Sequence, residues 1–185
     1  DDSHGEVLKV HSKGFEGSRE STSDSVGLEV TIRDPEGGRP QEWSWYSVRH
    51  LEDLPDVAGT AKEVVQRALD KIGQTKIESG VYDMIVENRV ATRLLGALNR
   101  PMCGSSLQQK QSFMDGKLGQ KLFSKKLTWV DDPFIPRGLG SRTFDGDGLA
   151  LKKRAIIDKG TLSDFYIDWY YSRKLGVEPT TGSTT

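Results

Sequence analysis

Three histidines, one cysteine and a few closely spaced carboxylates are the side chains of this 185-residue sequence from which metal or nucleophilic chemistry would have to be built. A zinc peptidase needs two or more neutral imidazoles or thiolates converging on the metal, usually two of them a helical turn apart with a glutamate alongside. His4, His11 and His50 have no HExxH-like spacing, and they read as exposed or partly satisfied groups. Cys103 follows Pro101-Met102 and precedes Gly104, with no histidine near it in sequence. It reads as a buried or inert thiol rather than a nucleophile.

The carboxylates carry less chemistry than their spacing first suggests. Asp145-Gly146-Asp147-Gly148 has the opening pattern of a calcium loop, because close carboxylates on a flexible backbone can wrap a hard cation. The further oxygen ligands do not follow, and Ile156 stands where the closing bidentate acid belongs, so a turn is the preferred reading. Asp131-Asp132 reads equally as a carboxylate pair or as a strand-end turn before Pro133. Gly138-Leu139-Gly140-Ser141 lacks the helix and lysine that complete a phosphate loop. A basic strip of Arg100, Lys110, Lys117, Lys121, Lys125 and Lys126 faces only Asp115, with Phe113 and Phe123 as its aromatic complement. A solvated face is preferred to nucleic-acid binding there, and a net charge of −1 argues the same way.

The elements that must position these residues read as α+β, strand-rich, with long antiparallel hairpins and two or three helices. Val26, Leu28, Val30 and Ile32 alternate with Gly27, Glu29, Thr31 and Arg33, the period of a strand with one buried face. The turn-forming run Asp34-Pro35-Glu36-Gly37-Gly38-Arg39-Pro40 and an aromatic-rich return strand over residues 43–50 complete a hairpin. From Val57, the residues Ala61, Val64, Val65, Ala68, Leu69 and Ile72 fall on one helical stripe, capped by Asp56 or by Thr60 with Glu63. Residues 81–87 are apolar on both alternating faces and predict a buried strand. A second helix capped by Asn88 carries Val90, Ala91, Leu94, Leu95 and Leu98 and ends before Pro101.

Residues 101–119 read as a loop with a short helical turn, and 122–130 as a strand. Between Asp131 and Gly148 the chain is glycine-rich and irregular. Residues 149–157 and 161–167, joined by Asp158-Lys159-Gly160, predict a second hairpin, followed by a helix from Trp169 that stops at Gly176. Residues 1–10 read as an extension or the end of a preceding domain, 11–182 as one strand-rich domain, and 183–185 as a polar tail.

With 35% hydrophobic and 29% charged residues the composition is that of an ordinary globular domain. No apolar run approaches the roughly 20 residues of a membrane span. The first residues show no export signal and the single cysteine suits a reducing compartment, so a soluble, cytoplasmic chain is expected.

One set of fragments is more specific than any of these motifs. Gln111-Ser112-Phe113-Met114, Gly119-Gln120-Lys121-Leu122-Phe123-Ser124, Leu127-Thr128-Trp129-Val130-Asp131-Asp132-Pro133 and Gly140-Ser141 occur in that order. Phe144-Asp145-Gly146-Asp147-Gly148, Ile156-Ile157-Asp158-Lys159-Gly160-Thr161-Leu162, Leu175-Gly176 and Thr181-Gly182 follow, and His11-Ser12-Lys13-Gly14-Phe15-Glu16-Gly17 precedes them. Together they resemble the TldD/PmbA family, also called modulators of DNA gyrase, over roughly residues 10–182. Members of that family are longer, so the chain would represent an incomplete central and C-terminal portion.

The resemblance implies a function through one segment. The TldD branch carries HExxxH on a helix, with zinc-binding histidines and a catalytic glutamate. Here Thr92-Arg93-Leu94-Leu95-Gly96-Ala97 stands in that place, and Thr92, Arg93 and Ala97 replace the zinc motif. That is the PmbA/TldE pattern. It implies no catalytic residue, metal or cofactor in this chain, and zinc only in a TldD-like partner subunit. The expected role is a noncatalytic subunit of a metallopeptidase complex acting on unfolded or small peptides, holding extended peptide by strand addition. Ser112, Gly119, Asp131, Asp132, Gly140, Ser141, Asp145, Gly148 and Gly160 are candidates for a partner or peptide surface. The alternatives are a homo-oligomeric binding protein without protease activity, and an autonomous zinc peptidase with ligands outside this segment.

Overall fold

A computed structural model of the chain describes residues 1–181; Gly182 and the expected polar tail 183–185 lie outside the described residues. The chain is α+β, as expected, with two three-stranded antiparallel sheets of order β1-β2-β3 and β4-β5-β6. It divides into two compact units. One comprises Asp1–Val7 with Glu20–Asp83, and the other Leu8–Arg19 with the chain from Met84 onward.

The residues expected to be an extension form strand β1, Asp2–Val10, paired with β2, Glu16–Thr31. No alternation of apolar residues betrays β1, because nearly all its side chains are exposed. Strand β3, Gln41–Val48, pairs with β2 from Asp24↔Val48 to Thr31↔Gln41. The connecting turn is tied by Asp34, whose Oδ1 accepts from Glu36 N at 2.9 Å and whose Oδ2 accepts from Gly73 N at 3.0 Å.

Helix α1, Val57–Leu69, starts where Asp56 accepts hydrogen bonds from Ala58 N and Gly59 N, so Asp56 is the cap and not Thr60. The helix buries Thr60, Val64 and Ala68 and packs against β3. Just beyond it, Lys71 Nζ reaches the buried Glu42 carboxylate at 2.9 Å and the Gln41 carbonyl at 2.6 Å.

Residues 81–87 do not form the expected buried strand. They are irregular, and Val81 and Ile85 are fully exposed. A strand needs hydrogen-bond partners along its edge, and apolarity on both faces does not supply them. Helix α2, Asn88–Asn99, starts after Glu87, without a side-chain cap from Asn88, and buries none of its residues.

The second unit is built on a core of Met102, Leu107, Met114, Ile156, Ile157, Leu162, Phe165, Tyr166 and Ile167. A short helix α3, Gly104–Gln108, lies in the expected loop and brings the number of α-helices among the described residues to four. The expected strand over 122–130 shrinks to β4, Trp129–Asp131. Before it the chain turns at Ser124, which accepts from Leu127 N at 2.9 Å, while Leu122 N and Phe123 N both donate to the Gly160 carbonyl. The expected second hairpin forms, but with strands β5, Arg154–Asp158, and β6, Thr161–Leu162, shorter than the expected 149–157 and 161–167. Its two turn residues, Lys159 and Gly160, have φ of 44° and 87°, the pair of positive values that matches the twist of a tight hairpin.

Helix α4, Trp169–Leu175, is capped by Asp168, which accepts from Tyr171 N at 2.7 Å, and stops at Gly176 with φ 69°. No helix among the described residues is long and apolar enough to cross a membrane.

Candidate functional site

A buried polar constellation in the second unit surrounds Arg154, which sequence reading missed. Antiparallel pairing of β4 with β5 sets Asp131 opposite Arg154, and both side chains are buried, 3% and 7% exposed. Arg154 Nε lies 3.5 Å from Asp131 Oδ2, Nη1 donates to Asp164 Oδ2 at 2.8 Å and to the Phe165 carbonyl at 3.1 Å, and Nη2 donates to Thr181 Oγ1 at 2.8 Å. The guanidinium also lies 5.0 Å from the Tyr166 ring centroid.

A planar cation with five donors can satisfy two carboxylates, a carbonyl and a hydroxyl at once, which a lysine cannot. The cluster therefore clamps β4, β5, the segment after β6 and the chain at Thr181. Burial, then the Asp131 carboxylate, push the Tyr166 hydroxyl far above the ordinary phenol range, so it stays protonated. Asp131 is thus an internal ion-pair partner of Arg154.

Asp132 points elsewhere. Its Oδ1 accepts from Phe134 N at 3.2 Å and its Oδ2 meets Lys153 Nζ at 2.7 Å, so the turn reading of Asp131-Asp132 holds and no carboxylate pair forms. The Lys153 ammonium, then the Phe134 amide, hold the Asp132 carboxyl below its usual range.

The remaining sequence candidates divide by burial. Ser112 is buried, donating to the Pro101 carbonyl at 2.6 Å and accepting from Met114 N at 3.1 Å. Asp145 is buried and its Oδ1 accepts from Asp147 N and Leu149 N, both at 2.9 Å, which makes the Asp-Gly-Asp-Gly segment a turn. Gly160 is also buried, beneath the Phe123 carbonyl.

Gly140 and Ser141 are half-buried, with Ser141 Oγ donating to the Ile135 carbonyl at 2.7 Å. Gly148, half-buried with φ 82°, lies under the Phe15 ring, which meets Phe144 edge-on at 5.2 Å. Gly119, exposed with φ 81°, donates its N–H to the Leu162 carbonyl at 2.8 Å. These positions fix loops.

The histidines are scattered. His4 lies exposed on β1, His11 sits in the turn between β1 and β2, and His50 accepts from Glu52 N as the cap of a short turn at Leu51–Asp53. Cys103 is half-buried, and burial followed by the Asp168 carboxylate pushes its thiol upward, which favours the inert form.

Helix α2 holds Thr92, Arg93 and Ala97, all exposed. A hydroxyl, a guanidinium and a methyl group do not fit a zinc site, since none offers an imidazole, thiolate or carboxylate lone pair. Among the described residues no group of three or more His, Cys, Asp or Glu is placed to hold a metal ion.

Comparison with known proteins gives a consistent result. Residues 1–72 match the PmbA/TldA metallopeptidase central domain and residues 79–184 the PmbA/TldA metallopeptidase C-terminal domain. The chain is 28% identical to the metalloprotease PmbA of Escherichia coli O157:H7 over 91% of its own length and 36% of that protein. A crystal structure from Bacteroides thetaiotaomicron, of a candidate modulator of DNA gyrase, superposes with a TM-score of 0.94 at 37% identity, covering 99% of this chain and 42% of that one. The fold also matches TldE from Thermococcus kodakarensis, with a TM-score of 0.75 at 24% identity, over 97% of this chain and 40% of that one. The chain thus spans between a third and a half of the length of these relatives. On the two domain matches, which between them take in nearly all of its sequence, the chain belongs to the PmbA/TldD metallopeptidase family.

Proposed function

We propose that this chain is the central and C-terminal part of a PmbA/TldE-like, noncatalytic subunit of a TldD-type zinc metallopeptidase complex acting on unfolded or small peptides. The observation that carries this reading is the make-up of α2, which presents Thr92, Arg93 and Ala97 where the TldD branch has its metal-binding and catalytic groups. Zinc, in this reading, resides on a TldD-like partner. The chain contributes shape and backbone hydrogen bonding.

Extended peptide has a suitable place to pair. Strand β1 is an outer strand of its sheet and almost wholly exposed, so its free edge offers backbone N–H and C=O groups to a further strand. The start of β3, the other outer strand, is less available: the Glu42 carboxylate accepts from Trp43 N at 3.1 Å and Lys71 occupies the Gln41 carbonyl. Pairing through main-chain groups makes recognition tolerant of side chains, which suits a complex acting on many peptides.

The test is to purify the chain and a TldD-like subunit separately and together, and to measure zinc by mass spectrometry alongside cleavage of an unstructured peptide. The expected result is zinc and latent activity in the TldD-like subunit, a stable complex, and neither zinc nor cleavage in this chain alone. Stoichiometric zinc with peptide cleavage by this chain alone would overturn the reading.

A further inference from the structure

The register of β2 with β3 places Gly27 opposite Trp45 and Glu29 opposite Trp43. Side chains alternate across a strand, and the intervening Leu28, Val30, Glu42 and Ser44 take the more buried face. The odd-numbered set therefore faces outward, leaving Trp43 48% and Trp45 59% exposed. The two indoles thus stand two residues apart on the same outward face.

The indole of Trp45 lies flat across Gly27: a Cβ there would meet its Cε3 at 2.5 Å and its Cζ3 at 2.7 Å. Gly27 thus makes the floor on which that ring rests. Together Gly27, Leu28, Glu29, Trp43, Ser44 and Trp45 line an open groove of about 340 Å³. Its single charge is Glu29, an exposed carboxylate with no ion-pair partner among the described residues.

We propose that this groove binds the cationic side chain of a lysine or arginine in an extended peptide. The groove has room for one side chain rather than for a folded surface. An aliphatic stem covers indole faces, and a cation is drawn by the negative face of each ring and by the Glu29 carboxylate. An anionic side chain meets repulsion from both. The identity of the ligand as peptide rests on the proposed peptide-handling role, whereas the cation requirement stands on the groove alone.

The test uses the whole ¹⁵N-labelled chain, following the indole N–H signals of its four tryptophans during titration with Ac-Ala-Ala-Lys-Ala-Ala-NH2, with its norleucine isostere and with N-acetyl-lysine methylamide. The lysine peptide is expected to move the Trp43 and Trp45 signals saturably, and the norleucine peptide to bind about tenfold more weakly or worse. Glu29→Gln should weaken the lysine peptide several-fold without disturbing the fold, and Trp45→Phe should alter the response while keeping an aromatic cover over Gly27. Equal binding of norleucine, an unchanged affinity in Glu29→Gln, or shifts confined to Trp129 and Trp169 overturns the proposal. Binding of N-acetyl-lysine methylamide equal to that of the peptide keeps the cation site and removes the peptide from it. The zinc and cleavage experiment reports on the subunit reading separately.

Discussion

Arg154 Nη1 stands 2.8 Å from the Asp164 carboxylate, joining a β5 side chain to the segment that follows β6. With Asp131 on its other side, the guanidinium is enclosed by two acids, so removing it leaves a buried carboxylate without its cation. Breaking such a pair from one side costs about 3–5 kcal/mol, far more than an exposed pair contributes. Arg154→Ala is expected to lower the hydrogen-exchange protection of the Ile156 and Ile157 amides accordingly. Arg154→Lys restores only part of it, because one ammonium cannot reach Asp131, Asp164 and Thr181 together. Full protection in Arg154→Lys would show that charge alone suffices.

Acid should loosen the first unit through Asp34. Hydrogen bonds from Gly73 N and then Glu36 N lower its pKa from the ordinary 3.8. A carboxyl whose folded value is depressed contributes stability that is present above the unfolded value and is lost as pH falls through the folded one. Denaturation curves should therefore show Asp34→Asn less stable than the parent near neutrality, with the gap closing below about pH 4. A gap that stays constant through that range would mean that the proton plays no part in the turn.

Turns and caps were the legible parts of this fold, because their chemistry is local. Asp56, Lys159-Gly160 and Gly176 each act on atoms within four residues, and each lies where the sequence predicts. The Arg154 clamp joins residues 10, 23 and 27 positions apart, and nothing in Lys152-Lys153-Arg154 reveals which of three cations turns inward. Strand β1 escaped for a different reason: a strand exposed on both faces has no apolar period. Residues 81–87 misled in the opposite direction, since apolarity says that a segment wants cover without saying that this stretch of chain supplies it. The resemblance of the Gln111 to Gly182 fragments to a family held, yet several of their polar residues, Ser112, Asp131 and Asp145, work inside the fold.

Two glycines with similar backbone angles separate strain from collision. Gly160 and Gly176 have φ of 87° and 69°, but a Cβ on Gly160 would lie 2.4 Å from the Phe123 carbonyl oxygen, while one on Gly176 meets nothing within 4 Å. Alanine at Gly176 pays only the left-handed penalty of about 1–2 kcal/mol. Alanine at Gly160 adds a clash with backbone that also accepts no easy shift, because the Gly160 carbonyl receives Leu122 N and Phe123 N. Thermal melts are expected to rank the parent above Gly176→Ala, and Gly176→Ala clearly above Gly160→Ala. Equal losses would mean that the 122–124 segment moves aside freely.

Cys103 should behave as a shielded thiol. Burial first, and the Asp168 carboxylate second, raise its pKa above the ordinary 9.0, and its Sγ donates to the Asn99 carbonyl at 3.4 Å. The thiolate is the reacting species, so both effects lower the attacking fraction at neutral pH. Alkylation by iodoacetamide near pH 8 should run at least about tenfold slower in the native chain than in the chain unfolded by urea. Asp168→Asn removes the like charge but also exchanges the cap of α4 for a weaker acceptor, so its rate alone is ambiguous; raising the salt concentration on the parent screens the charge and leaves the cap in place. A small acceleration in salt, well short of the unfolded rate, is expected if burial dominates. A native rate that already matches the unfolded one would place Cys103 among accessible, reactive thiols and remove the reason for reading it as inert.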